Sequence, residues 1–372
     1  MRTGIWVGLL SALVAMPAQA VNLRLAIVKD GSALIVGSSI VATVTNENNQ
    51  VLGKLQPLQP LPVKLTGTQV ESAGVKVQHL HVIPDTPTGL VFIGDRWFRG
   101  TIDVSVSNGK LLALNLVDME SYLYGVVGAE MPSKWSLEAL KAQAVAARTY
   151  ALYNWTLHHD QPFDLGDTTR WQVYKGAQEE ADSIRKAVDA TSGLVMTYNG
   201  QLINAMYHDT SGGHTENVKA LNGEDIPYLS GVEDFDQDSP YYRWRLTLPI
   251  ANVMRSLALN IGNLLQLRPQ QQTETGRPLT LVAVGKKGTQ TLKASDIRSK
   301  LHLKSEFFEI APVLTSTKPN ASLAALVFNG RGFGHGLGMS QYGARALAAG
   351  GWNYQQILKY YYQGIEIQRK DF

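Results

Sequence analysis

Cysteine is absent from all 372 residues, which excludes disulfides, thiol nucleophiles and thiolate metal sites together. Such a chain is held by its core alone, and its length is enough for two domains. Long apolar runs are missing as well: beyond residue 20 no stretch approaches the roughly 18 to 20 apolar residues of a membrane span. So is a dominant charge. With 34 Lys and Arg against 31 Asp and Glu, the formal net charge is +3, too small for the broad positive field that nucleic-acid binding usually requires. Nucleic acid is therefore not an expected partner. The phosphate-cradling GK[ST] ending is also lacking from the glycine-rich stretch near the C-terminus.

What is present begins with MRTGIWVGLLSALVAMPAQA, where Arg2 is the only charge, an apolar run extends from Ile5 to Met16, Pro17 breaks it, and Ala18 and Ala20 stand at cleavage spacing. Residues 1–20 are read as a secretory signal, which predicts an exported protein in the periplasm or cell-wall space with no membrane span in its mature part. Residues 21–96 hold short Val, Ile and Leu runs between Gly, Asn and Pro clusters and read as a small β-rich accessory domain. From residue 97 to 372 the texture changes. Ile102, Val104 and Val106 alternate up to Asn108-Gly109, and Leu112, Leu114 and Leu116 alternate away, which is a type I′ hairpin signal. Leu194 to Tyr198, Asn199-Gly200 and Leu202 to Tyr207 repeat it. Asp118 is placed to cap a helix over 120–127, and Ser136 a longer one over 137–157 whose many alanines predict close packing against a sheet. A further helix over 178–192 stops at Gly193. The fold class is α+β, with mixed helices and antiparallel hairpins forming a groove behind a small β-rich N-terminal domain.

Glu130 is the acid in the least ordinary place. It precedes Met131-Pro132, and a residue before proline avoids the helical region, so the chain must turn there. Past the carboxyl end of a helix, among Val126, Val127 and Met131, its pKa should rise, as a general acid requires. A solvated loop glutamate is the competing reading. Asp118 and Glu120 are better explained by capping and the helix dipole than as a second catalytic carboxylate. Arg148, on the alanine-rich helix, could reach a substrate oxygen, fix a carboxylate, or simply be exposed. The run Tyr207, His208, Asp209, Thr210, Ser211, Gly212, Gly213, His214 admits three readings. Ser211 with a histidine would be a nucleophile and base, although no GxSxG elbow surrounds it. His208 and His214 would be two zinc ligands with a third elsewhere. Hydrogen bonding to a polar substrate is the third and preferred one. In GRGFGHGLGMSQYGA, glycines 330, 332, 334, 336 and 338 clear one face of an extended segment for close backbone approach, with His335 opposite and Ser340, Gln341 and Tyr342 opening a helix.

Together SYLYGVVGAEMPSKWSLEALKAQAVAARTYAL, WQVYKG, YHDTSGGHTENV, GRPLTLVAV with LKASDIRSKLHLKSEFFEI, and FNGRGFGHGLGMSQYGARALA with YQQILKYYYQGIEI resemble the SpoIID/LytB family over about residues 97 to 367. SpoIID-type members are lytic transglycosylases that cut peptidoglycan glycan strands, preferentially those stripped of stem peptides, and LytB-type members are enhancers of a wall amidase. The resemblance implies that Glu130 is the catalytic glutamate. It further implies that Arg148, Gln172, Tyr174, His208, Thr210, Ser211, Gly212, Gly213, His335, Ser340, Gln341 and Tyr342 bind and orient the glycan. Some members hold zinc near the TSGG cluster with Cys and His ligands; this chain has no cysteine for such a set, so no cofactor is expected. Peptidoglycan strands, and possible contact with a wall amidase, are the implied partners.

Overall fold

The computed structural model describes residues 21–318 and 321–370; the expected signal segment lies outside the described residues. Eight α-helices occur among the described residues: α1 (Met119–Glu130), α2 (Leu137–His158), α3 (Asp182–Ala190), α4 (Val218–Asn222), α5 (Ile250–Ser256), α6 (Ala294–Leu301), α7 (Gln341–Ala349) and α8 (Tyr354–Tyr361). With several sheets interleaved, the fold is α+β as expected.

The first half is built on two β-sheets. The hairpin Thr101–Ser107/Lys110–Asp118 turns at Asn108 (φ 51°) and Gly109 (φ 71°), both left-handed as a type I′ turn demands. Its second strand pairs antiparallel with Asn22–Gly31, in register from Asn22 opposite Asp118 to Ala26 opposite Leu114, with two register shifts before Gly31 opposite Leu111. Strands from both sides of the expected division at residues 96 and 97 thus share one sheet. The seven-stranded sheet crosses that division, because the apolar face of Asn22–Gly31 has no cover without the hairpin and helices that follow. Leu23 and Leu25 share one core with Tyr122, Val126 and Ala147.

α1 starts where Asp118 accepts the Ser121 N–H at 3.0 Å and runs to Glu130, three residues further than expected. It ends there because Pro132 bars Met131 from the helical region; Met131 is extended at φ −130°, ψ 137°. The long α2 matches its expected span and packs against a sheet as expected, with helices on its other sides. Its alanines admit α1, α3, α7 and α8, and the strand Leu194–Tyr198 is the main sheet element against it. α3 is shorter than expected, since Gly176–Glu179 forms a separate 3-10 turn. The second Asn-Gly turn also forms, at Asn199 (φ 50°) and Gly200 (φ 77°), but its returning strand is only Gln201–Leu202.

Residues 243–331 make a second unit with its own core, including Val253, Leu267, Leu281, Ile297 and Phe328. Two three-stranded antiparallel sheets build it: Arg243–Pro249, Leu323–Arg331 and Phe308–Leu314 in one, Leu264–Gln272, Pro278–Gly285 and Gly288–Lys293 in the other. The chain returns from this unit into the glycine-rich segment and α7.

Candidate functional site

A cleft of 370 Å³ lies where four separate stretches of sequence meet: the end of α1 with Glu130, Trp171 and Val173, Met206 to Asp209, and Phe333 to His335 followed by Gln341. The last two meet through backbone. Tyr207–His208 runs parallel to Met339–Ser340, and Thr210 bridges Phe333 with bonds of 3.0 and 2.8 Å. Only glycine permits this contact. A Cβ on Gly334 (φ 117°) would lie 2.6 Å from the His208 Cβ, and one on Gly338 (φ 67°) 2.0 Å from the Met206 carbonyl oxygen. The glycines from 332 to 338 thus take left-handed conformations rather than the extended ribbon expected, while clearing the close approach that was expected of them.

Glu130 stands on the cleft wall. Its Oε1 accepts the Val173 N–H at 3.0 Å, and its Oε2 accepts from Gln341 Nε2 at 3.1 Å. Burial pushes its carboxyl up from the ordinary value. The two donors and the Tyr207 hydroxyl pull the other way, and the Asp209 carboxylate adds to the rise. Tyr207 is positioned from behind by Gln172, whose Nε2 donates to its hydroxyl at 2.9 Å while Gln172 Oε1 accepts from Tyr122 at 3.0 Å.

Asp209 also faces the cleft, and burial raises its carboxyl too, against the Thr210 hydroxyl that donates to it at 2.5 Å. It is therefore a second carboxylate at the site. In the sequence Asp209 shares only the substrate-hydrogen-bonding expectation of the HDTSGGH run; flanked by His208 and Thr210, it carries no signal separating it from the polar residues around it. Arg298 reaches the cleft from α6, and the Val173 N–H belongs to the backbone, so neither could be read as a site group from residue type.

The two cleft histidines are neutral. Burial drives His208 well below the ordinary histidine value and His335 down to about 4, helped by Arg298 near the latter. His335 Nδ1 accepts the Leu337 N–H at 3.0 Å, so its Nε2 carries the proton donated to the Tyr207 carbonyl at 2.9 Å. His214 lines a different pocket with Glu216 and Lys219, away from His208. The two histidines do not converge, and no group of three or more His, Cys, Asp or Glu side chains at metal-binding spacing occurs among the described residues. These residues do not fit zinc.

Several expected substrate contacts turn inward. Arg148 is fully buried: it pairs with Glu120 through Nε at 2.9 Å and reaches the Leu194 carbonyl at 3.2 Å, tying α1 to α2 and to the strand beyond. Glu120 also accepts the Gly193 N–H at 3.2 Å, a role beyond the dipole effect expected of it. Gln172 is buried behind Tyr207, and Tyr174 packs in the core with its hydroxyl on Asn115 Oδ1 at 3.0 Å. Thr210 is buried against Ser239, 2.6 Å away. Ser211 donates to Asp234 at 2.6 Å, with Asp236 at 3.0 Å, and has no histidine partner, so the nucleophile reading is removed. Gly212 and Gly213 (φ 84° and 105°) close this buried turn; the Gly212 N–H bonds Asp236 at 2.8 Å. Ser340 caps α7, accepting the Gly343 N–H at 3.2 Å. Tyr342 is half-buried near the cleft, edge-on to Trp135 at 4.9 Å with Arg345 over its ring.

A family profile described as "Stage II sporulation protein" matches residues 107–198, the span of α1, α2 and Glu130. A second, described as a domain of unknown function, matches residues 214–338. Stage II sporulation protein D of Bacillus subtilis (strain 168) is 37% identical over 272 residues, covering 68% of this chain and 76% of that protein. The chain belongs to the stage II sporulation protein D family. Stage II sporulation protein D of Bacillus amyloliquefaciens is 35% identical over 277 residues, covering 68% of this chain and 75% of its own length. A protein named amidase enhancer, from Bacillus subtilis (strain 168), is 31% identical over 290 residues, 66% of this chain but 40% of that longer protein. The family thus corresponds to the one expected from the motifs, and Glu130 falls within the profile that defines it.

Proposed function

We propose that this protein is an exported lytic transglycosylase that cleaves the bond between N-acetylmuramic acid and N-acetylglucosamine in peptidoglycan strands, with Glu130 as acid and then base. The observation that carries this reading is a carboxyl held in a cleft, hydrogen-bonded to Val173 and Gln341, whose proton affinity burial has raised. Protonated Glu130 gives its proton to the glycosidic oxygen as the bond from that oxygen to muramoyl C1 breaks. The resulting carboxylate takes the proton of the muramoyl C6 hydroxyl as O6 bonds to C1, leaving a 1,6-anhydro end and consuming no water. Asp209, on the same cleft, is placed to stabilise in its carboxylate form the positive charge that develops at C1. His208 and His335, both neutral, shape the wall without competing for the proton.

The relative named amidase enhancer motivates a second reading, a non-catalytic partner of a wall amidase that binds peptidoglycan. A third, hydrolysis by the Glu130 and Asp209 pair, follows from their shared cleft. One experiment separates them. Intact and peptide-stripped peptidoglycan are digested with the protein and with Glu130→Gln, and the products are read by mass spectrometry. Anhydro ends that disappear in the variant support the transglycosylase, reducing ends point to hydrolysis, and no new ends with retained binding leave the enhancer reading.

A further inference from the structure

The second unit carries a larger groove, of 800 Å³, outside the Glu130 cleft. Arg243 and Arg331 lie directly opposite each other on adjacent antiparallel strands, and Arg245 lies opposite Asn329 one step along the same face. All three arginines are exposed, and none makes an ion pair or a side-chain hydrogen bond among the described residues. Like charges directly opposite across a sheet are destabilising, and among the described residues they meet only aromatic faces, Arg331 over Phe307 at 5.3 Å and Arg243 over Tyr242 at 6.0 Å, with no carboxylate paired to either. Three guanidinium groups face one resident carboxylate, Glu309, which is paired in register with Asn329, and Gln272 adds an amide from the neighbouring sheet.

The groove is linked to the cleft by paired residues on two strands. Phe333 lines the cleft and packs edge-on against Tyr241 at 4.8 Å; two residues from each along its chain are Arg331 and Arg243. The arginine pair thus ends the two strands two residues from the aromatic pair that borders the cleft.

We propose that this groove is a remote subsite for a carboxylate-bearing glycan, read through guanidinium–carboxylate hydrogen bonds. The inference rests on the glycan-cleaving reading of the cleft. Amide groups and a resident Glu309 suit a ligand with isolated carboxylates among hydroxyl and acetamido groups, as in glycan strands whose muramoyl lactyl groups are free. They suit a polymer with a phosphate on every short repeat less well, because it brings more negative charge past Glu309 than a strand with one carboxylate per disaccharide.

The test uses the full chain bearing Glu130→Gln, so that binding is measured without cleavage, with and without Arg243→Gln/Arg331→Gln. Dissociation constants are compared for peptide-stripped strands, neutral N-acetylglucosamine oligomers of similar length and poly(glycerol phosphate). The double variant is expected to weaken binding of stripped strands about tenfold or more, to leave the neutral oligomers unchanged, and to remove most of the salt dependence. Unchanged binding of stripped strands, an equal loss for the neutral oligomers, or tighter binding of the phosphate polymer would each overturn it. Arg245→Gln alone, read in the same way, provides a second variant should the double one melt early. Because binding is scored independently of product ends, a failure of Glu130 to form anhydro ends leaves this outcome separately readable.

Discussion

Replacing Gln341 by Leu tests how the cleft sets the acid. Gln341 is nearly buried, and its Nε2 is one of two donors that hold the Glu130 carboxyl, the other being the Val173 backbone. Leucine is close in volume and donates nothing, so the carboxylate form loses one charge-assisted hydrogen bond, worth about 1.5–3 kcal/mol. The protonated form loses far less. The proton affinity of Glu130 therefore rises further, and the alkaline limb of kcat/KM for anhydro-end formation, where the acid deprotonates, should move up by about one to two pH units. Asp209→Asn has the opposite sign: it removes a negative neighbour that raises Glu130, so the limb should move down. The assay is the initial rate of anhydro-end release from peptide-stripped strands across the acid to mildly alkaline range. The position of the limb is the readout, since a change in turnover alone could follow from disturbed packing. An unmoved limb in Gln341→Leu, or both variants moving it in the same direction, would refute the assignment of Glu130 as the titrating acid.

The same shift has a consequence for stability. A carboxyl raised in the folded state adds stability at low pH and loses it as pH rises through the folded value, so Glu130→Gln should melt like wild type in acid and at a higher temperature near neutrality. Calorimetry at the two pH values checks it. Arg148→Met should cost about 3–5 kcal/mol by leaving Glu120 unpaired beside the buried helix contact, with unchanged KM for the protein that remains folded. Denaturant unfolding and kinetics on the same preparation would expose a substrate-binding role instead. Ser211→Ala should destabilise by about 1–3 kcal/mol through Asp234 and Asp236 while anhydro-end formation persists; abolished turnover in a folded variant would restore the serine to the chemistry. Gly338→Ala forces a Cβ to within 2.0 Å of the Met206 carbonyl in left-handed backbone, and should both lower the melting temperature and slow turnover by separating Gln341 from Glu130. Retention of both would show that the pairing of the two segments is dispensable.

The sequence by itself determined what near neighbours decide. Asn108-Gly109 and Asn199-Gly200 turn because both residues of each pair accept left-handed backbone, and α1 ends at Glu130 because Pro132 excludes helical geometry at Met131. The order of the motifs was enough to place Glu130 in a family-defining segment. Tertiary structure alone decided which polar side chains face the cleft. Arg148 reads equally as a substrate contact, a partner for a carboxylate or an exposed cation until the fold sets it against Glu120, 28 residues away in sequence. Gln172, Tyr174 and Ser340 likewise find their partners inside the fold. Asp209 became a candidate only when Tyr207–His208 paired with Met339–Ser340 and turned it toward Glu130, a contact spanning some 130 residues. Which strands share a sheet across residue 96 was decided in the same way. An apolar strand face shows in a sequence that it must be covered, and only the folded chain shows by what.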